Sequence, residues 1–219
     1  VEDRAGYTNT HLDLGALFSN ATREGLLHCG TPVGYINDRF YGLVLLLHNI
    51  FGLKLNDPGL TWRTEEVGSP KFNTHEDTAG NLVHLLIIMG FLGWGIFQRR
   101  FSGDRLKLLM VLLAGVLLFL AYLRWQPWNT RIDLPLFYLA IPLVAVLSSY
   151  VSNKFYYFCL IVIFLQSIPF LVRNHTRLLL SKKDSVLFLP RREQYFSAKW
   201  GIHSAYIEII EYLQKDQRK

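Results

Sequence analysis

The sequence predicts an all-α integral membrane protein with four transmembrane helices, an amphipathic helical amino-terminal flank and a small basic carboxy-terminal segment outside the membrane. Charges are segregated: of the 23 basic and 17 acidic residues in the 219-residue chain, nine lie between Thr78 and Val172. A water-exposed surface needs charge along the whole chain. That stretch also holds four uncharged runs close to the roughly 20 residues that cross a bilayer. We expect three regions, at residues 1–77, 78–172 and 173–219.

The amino-terminal region contains two candidate helices. His11 to Cys29 places five apolar residues at near-helical spacing before Thr31-Pro32 ends the pattern: Leu14, Leu17, Phe18, Ala21 and Leu26. Phe40 to Leu53 is apolar over fourteen residues, too short to span a membrane. We expect both to lie in the membrane interface or to pack on the helical bundle.

The four uncharged runs are the predicted spans, and their ends carry Trp and Tyr residues typical of the membrane interface. Lys107 and Arg124 can extend the short second run by reaching toward the interface. Pro142 and Pro169 should kink the third and fourth spans. The runs are Thr78 to Gln98, Leu108 to Leu123, Leu134 to Asn153 and Phe155 to Val172.

The carboxy-terminal region begins with a strand-like run, Ser185 to Leu189, before Pro190. It ends with apolar residues at amphipathic-helical spacing: Ile202, Tyr206, Ile209, Ile210 and Leu213. Strand followed by helix is typical of the start of an α/β unit. The chain starts at Val1 without a visible signal peptide, so we expect a piece of a longer protein.

The charge distribution favours a lipid partner over nucleic acid. The net charge of +6 divides into about −4, +5 and +5 over the three regions, and much of the positive excess lies in predicted membrane loops and a juxtamembrane tail. Basic residues in the 99–107 loop favour a cytoplasmic position for that loop. The long flanks would then lie on the extracytoplasmic side of an inner membrane. Basic residues just after the last span argue against this orientation.

A polar cluster precedes the first span: His75, Glu76 and Asp77, with Asn81 and His84 following. Carboxylates and an imidazole at a membrane boundary could bind a divalent metal ion, position a sugar hydroxyl or act as a base. Alternatively, Asp77 or Thr78 caps the helix. His84 lies inside the apolar run, where it could contact substrate or be a satisfied packing residue.

The loop between the second and third spans is basic and aromatic: Arg124, Trp125, Trp128 and Arg131. An arginine fork suits phosphate, and an indole face suits a sugar or a prenyl chain. Interfacial belt residues have the same composition. Arg191 and Arg192 in the tail are either a further ligand contact or a folded loop surface.

Common catalytic motifs are absent from the sequence. There is no Walker loop, GxGxxG, HExxH or GxSxG, so nucleotide hydrolysis, dinucleotide redox, zinc proteolysis and serine hydrolase chemistry lack support. Neither of the two cysteines, Cys29 and Cys159, has a CxxC neighbour, and we expect no disulfide.

Five segments together resemble the carboxy-terminal half of bacterial multi-pass glycosyltransferases of the GT-C group. They are HLDLGALFSNATREGLLHCGTP, LKLNDPGLTW, HEDTAGNLVH, YLRWQPWNTRIDLPLFYLAIPLVA and PRREQYF. Within that group the chain is similar to protein mannosyltransferases and lipid A aminoarabinose transferases, which use polyprenyl-phosphate-linked sugars. The likeness is one of pattern and covers most of the chain.

The resemblance implies transfer of a sugar from a polyprenyl-phosphate donor to an acceptor hydroxyl. It also implies that the key acidic residue lies in a first extracytoplasmic loop, outside these residues, so no catalytic residue is assigned. His75, Glu76 and Asp77 would lie near the acceptor or a metal, and Arg124 and Arg131 near the lipid phosphate. The alternatives are a noncatalytic membrane scaffold or accessory subunit, or a fragment of a transporter that binds lipid phosphate.

Overall fold

The computed structural model describes residues 6–63, 65–75, 77–174, 179–180, 185–194 and 200–216. Regular secondary structure among them is helical, apart from two isolated β-bridges that join Thr8 to Leu123 and Thr61 to Trp125. The predicted all-α class is confirmed. The chain forms two compact units, residues 1–73 with 77–165, and residues 74–76 with 166–219.

The first unit opens with helix α1, Leu14–Leu27, and helix α2, Gly34–Ile50. The Asp13 side chain caps α1, because its Oδ1 accepts a hydrogen bond from the Ala16 backbone N–H at 2.8 Å. Both amino-terminal helices expected from the sequence are present. Helix α2 starts well before the apolar run that predicted it.

Helix α1 buries its polar face. Its buried residues include Ser19, Asn20, Arg23 and Glu24, which the helical repeat places on one side. Leu14, one of the apolar residues that predicted the helix, is 85% exposed. Burying this face requires that neighbouring segments satisfy each polar group.

Four apolar helices follow: α3, Leu82–Phe97; α4, Asp104–Tyr122; α6, Leu134–Ser148, after the short α5, Asn129–Ile132; and α7, Asn153–Val172. Helix α6 packs against both α3 and α4. Leu109 and Leu112 of α4 form one buried cluster with Ala140 and Leu143 of α6. A second cluster joins Phe91, Leu147 and Cys159 of α3, α6 and α7.

Two described helices, α4 with 19 residues and α7 with 20, have the length and composition to cross a membrane. Helices α3 and α6 are apolar but shorter, with 16 and 15 residues. Large apolar side chains on the longer pair remain exposed, including Leu118 at 70% and Phe164 at 67%. The core helix of a soluble protein would bury such residues, so these exposed faces suit contact with lipid.

The second unit contains the end of α7, the short α8, Arg191–Gln194, and α9, Trp200–Asp216. The amphipathic helix expected at the end of the chain is confirmed. The strand expected over residues 185–189 is wrong, because this segment forms a turn. Local bonds explain the turn: the Leu187 N–H donates to the Ser185 hydroxyl, and the Gln194 amide donates to the carbonyls of Val186 and Leu189.

The cap of α1 yields a stability prediction. Asp13→Ala removes the bond to the Ala16 N–H, and we expect a loss of about 1 kcal/mol in the free energy of unfolding. Thermal unfolding of the purified protein in detergent measures the loss. Asp13→Asn is the control, because its amide oxygen can still cap the helix. Equal destabilisation by both substitutions would contradict the capping role.

Candidate functional site

The structure brings two of the predicted site residues together. Arg131 Nη1 donates to Asp77 Oδ1, and the Thr130 hydroxyl donates to the Asp77 carbonyl at 3.1 Å. These contacts tie the segment before α3 to α5. The proposed capping role of Asp77 and Thr78 is wrong, because Asn81 occupies the N-cap position and no side chain caps the helix.

Arg124 binds the amino-terminal segment. Its Nε donates to the Thr8 carbonyl at 2.8 Å, and its backbone N–H donates to the Tyr7 carbonyl at 2.9 Å. The half-buried Arg124 guanidinium therefore holds the chain before α1 against the end of α4. This contact is structural in itself.

The two tryptophans of the same loop differ in their surroundings. Trp125 is 3% exposed and belongs to a buried cluster with Leu26, Val44 and Val67. Trp128 is half-buried and packs edge-on against Trp62, with 4.8 Å between ring centroids. Trp125 therefore supports the core of the amino-terminal flank.

His84 lines a different part of the molecule, a cavity of about 530 Å³ between α3, α6 and α7. The wall is apolar over most of its length. Its polar groups include Asn81 and His84, at the start of α3, beside Leu134 and Phe137 at the start of α6. The cavity is thus a largely apolar groove with a polar end at Asn81 and His84, and the hydroxyl groups of Ser148 and Tyr156 lie toward its opposite end.

The remaining predicted residues lie elsewhere or outside the described residues. His75 is half-buried and belongs to the second unit. Glu76 lies outside the described residues, as does the Arg192 side chain, whereas Arg191 is exposed on α8. Among the described residues, no group of three or more His, Cys, Asp or Glu is placed to hold a metal ion.

A buried polar network near the polar end of the groove was missed by the sequence analysis. His28 Nε2 lies 2.7 Å from Asp133 Oδ2, and both residues are at most 5% exposed. The Asn81 backbone N–H donates to His28 Nδ1 at 3.3 Å, so Nε2 carries the proton that is donated to Asp133. The His28 ring also packs edge-on against Phe137 of the groove wall, at 5.1 Å.

Glu24 also belongs to this network. Its Oε1 accepts a hydrogen bond from Asn129 Nδ2, and it is 7% exposed. Burial raises the pKa of the Glu24 carboxyl to about 8. The hydrogen bond from Asn129 acts to lower this pKa, and the nearby Asp133 acts to raise it. Glu24 is therefore protonated and neutral at pH 7.

Arg23 completes the network as a cation that forms no ion pair among the described residues, although Glu24 and Asp57 interact with it electrostatically. Its Nη1 donates to the Thr61 hydroxyl at 2.8 Å and to the Leu55 carbonyl at 3.1 Å. Burial lowers its pKa to about 10, so it stays charged at neutral pH. The helical spacing of the polar residues 19, 20, 23 and 24 marks a polar stripe on α1, but this spacing does not indicate that the stripe is buried.

The fold and these sites define an all-helical protein with exposed apolar helices, an apolar groove and a buried polar network at its end. Comparison of the chain with protein-family models, with curated proteins and with solved structures finds no match. The resemblance to GT-C glycosyltransferases is therefore an argument from the pattern of the sequence alone.

The raised pKa of Glu24 predicts a pH-dependent stability. Between about pH 4.5 and about pH 8 the unfolded chain releases this proton and the folded protein keeps it, so stability falls as the pH rises through that window. Glu24→Gln can still accept the bond from Asn129 but does not ionise. We expect the wild-type protein to lose on the order of 3 kcal/mol of unfolding free energy across this window and Glu24→Gln to show no such loss.

Thermal unfolding in detergent, measured from about pH 5 to about pH 8, tests this expectation. Glu66→Gln is the control, because Glu66 is exposed. If the Glu24→Gln and wild-type stability curves run parallel over that range, the carboxyl ionises normally in the folded protein.

Proposed function

We propose that the chain belongs to an integral membrane glycosyltransferase and binds its lipid-linked donor, a sugar carried on a polyprenyl phosphate. The apolar groove with a polar end is the observation that carries the proposal. Its volume of about 530 Å³ lies within the range typical of small-molecule sites. A prenyl chain would lie along α3, α6 and α7, with its phosphosugar toward Asn81 and His84.

The reaction in this proposal is displacement at the anomeric carbon. The acceptor oxygen forms a new bond to that carbon, the bond to the donor phosphate oxygen breaks, and the lipid phosphate leaves with the bonding electrons. A base takes the hydroxyl proton of the acceptor. Hydrogen-bond donors near the phosphate stabilise the developing charge, and in this proposal Asn81 and His84 at the polar end of the groove are those donors.

The membrane arrangement in this proposal uses four spans, α3, α4, α6 and α7. At about 1.5 Å per residue, α3 and α6 reach only about 24 and 22 Å, so residues flanking them complete the crossing. The long flanks face outside the cytoplasm of an inner membrane. The loop that contains Arg99, Arg100 and Arg105 then faces the cytoplasm, as the basic-residue rule favours.

A noncatalytic membrane scaffold is the second candidate, and one observation favours it. The polar residues expected to share one cavity instead make separate contacts: Arg131 with Asp77, Arg124 with the Thr8 carbonyl, and Trp125 with the flank core. In this alternative the groove is filled by ordinary membrane lipid.

Filling the groove distinguishes the two functions. Ala145 lines the groove and Val146, its neighbour on α6, does not. Ala145→Trp, made in the longer protein that supplies the acidic residue, should lower sugar transfer from a polyprenyl-phosphate donor more than about tenfold, because the ring occupies the lipid position. Val146→Trp should retain activity, since its side chain is 41% exposed and faces away from the groove.

Photo-crosslinking with a light-activated prenyl phosphate measures donor binding in the same two variants. Membrane levels of each protein, measured by immunoblot, control for insertion. Equal transfer and equal crosslinking by both variants would favour the scaffold.

Cysteine labelling tests the orientation. Ile132→Cys lies in the loop between α4 and α6, and Ser102→Cys in the loop before α4; both positions are exposed. In intact cells, an impermeant thiol reagent should label the first and should label the second only after lysis. The reverse pattern would invert the orientation. Labelling of both cysteines in intact cells would place both loops on the same side of the membrane, and this would contradict a crossing by α4 between them.

A further inference from the structure

A second, smaller cavity of about 190 Å³ lies in the first unit, against the amino-terminal flank. It shares no lining residue with the apolar groove. At roughly 30 Å³ per water molecule it has room for about six waters, which is space for a small polar ligand. The residues that give it chemical character are Arg23, Lys71, Asn73, Thr78 and Trp125.

The charge around this cavity is positive. Arg23 and Lys71 both line it, and none of its described lining residues is acidic. Lys71 is exposed and makes no ion pair among the described residues. Arg23 donates its hydrogen bonds to neutral acceptors, and its neighbour Glu24 is neutral at pH 7 because burial raises its pKa to about 8. Arg23 also interacts electrostatically with Asp57, so Lys71 is the lining cation whose positive charge is available to attract an anion.

Two of the side chains that line the cavity carry hydrogen-bond donors. Trp125 is 97% buried, and its indole Nε1–H has no hydrogen-bond partner among the described residues. A buried unpaired donor costs free energy unless a ligand or water meets it. The Thr78 hydroxyl accepts a bond from the Asn73 amide at 2.7 Å, and its own proton is then free to be donated.

We propose that this cavity binds the phosphate group of a small ligand, with Lys71 as the direct cationic contact. Arg23 contributes positive charge without a direct hydrogen bond to the ligand, because its N–H groups already donate to protein acceptors. Trp125 and Thr78 supply neutral donors. Pro70 and Pro127 complete an apolar part of the wall against which the body of a sugar phosphate or a lipid headgroup would rest. This site does not depend on the proposed transferase activity.

Titration calorimetry of the whole chain in a neutral detergent tests the proposal, with inorganic phosphate, a hexose 1-phosphate and the uncharged hexose as probes. We expect both phosphates to bind and the hexose to show no binding. Lys71→Met keeps the length of the side chain without its charge, and it should weaken phosphate binding about tenfold or more. Lys54→Met is the matched control, because Lys54 is exposed on the same flank and does not line the cavity.

Trp125→Phe provides a second variant that keeps the buried ring but lacks the N–H, and we expect it to weaken phosphate binding severalfold. Thermal unfolding of each variant shows whether the fold is intact. Equal phosphate affinity in Lys71→Met and Lys54→Met, or no detectable binding of either phosphate, would overturn the proposal. Equal binding of the hexose and its phosphate would also overturn it.

Nanodiscs distinguish the two sources of the phosphate. If a lipid headgroup occupies the cavity, inorganic phosphate should bind more weakly in nanodiscs that contain phosphatidylglycerol than in pure phosphatidylcholine, and Lys71→Met should abolish the difference. If the ligand is a free phosphate compound, its affinity should be the same in both lipids. Either result supports a phosphate site, provided that the Lys71→Met effect is present.

Discussion

The buried polar face of α1 is the constraint on which the first unit depends. Asn20, Arg23 and Glu24 leave water when this helix packs, and ionised or polar groups pay a large desolvation cost unless each finds a partner. Neighbouring segments provide those partners: the Leu120 carbonyl, the Thr61 hydroxyl and the Asn129 amide. Glu24 avoids part of the cost by keeping its proton. Ser19 also hydrogen-bonds His48 of α2, so the positions of α2, α4 and α5 are coupled through this helix.

The same arrangement explains how an amino-terminal flank can sit beside apolar helices without covering them. With its polar face inward, α1 exposes Leu14 on its other side, as α4 exposes Leu118 and α7 exposes Phe164. Apolar surfaces on several helices can then contact one lipid phase. The groove between α3, α6 and α7 belongs to this apolar surface, and the His28–Asp133 pair lies behind its polar end.

The all-helical class and the positions of the apolar helices could be predicted, because uncharged runs and helical spacing are local properties of the sequence. The inward face of α1 could not, since its polar and apolar residues each form a helical stripe and the choice between them depends on partners elsewhere in the chain. The Asp77–Arg131 contact joins two residues that the sequence had grouped at one membrane boundary. The His28–Asp133 pair is separated by 105 residues and carries no local signal. The turn at residues 185–189 depends on hydrogen bonds from Gln194. Gln194 lies outside the five-residue segment whose composition predicted a strand.

The end of α4 is completed by residues that are distant in sequence. The Leu120 carbonyl accepts amide hydrogen bonds from Asn9 and Asn20, and the Ala121 carbonyl accepts another from Asn9. These contacts close loops of 100 to 112 residues and therefore carry a substantial entropic cost before they form. During synthesis on the ribosome, both asparagines emerge long before their acceptors exist. The amino-terminal flank can therefore form its own contacts early, such as Ser19 with His48 and Arg23 with Thr61, but it can dock on α4 only after that helix has been made.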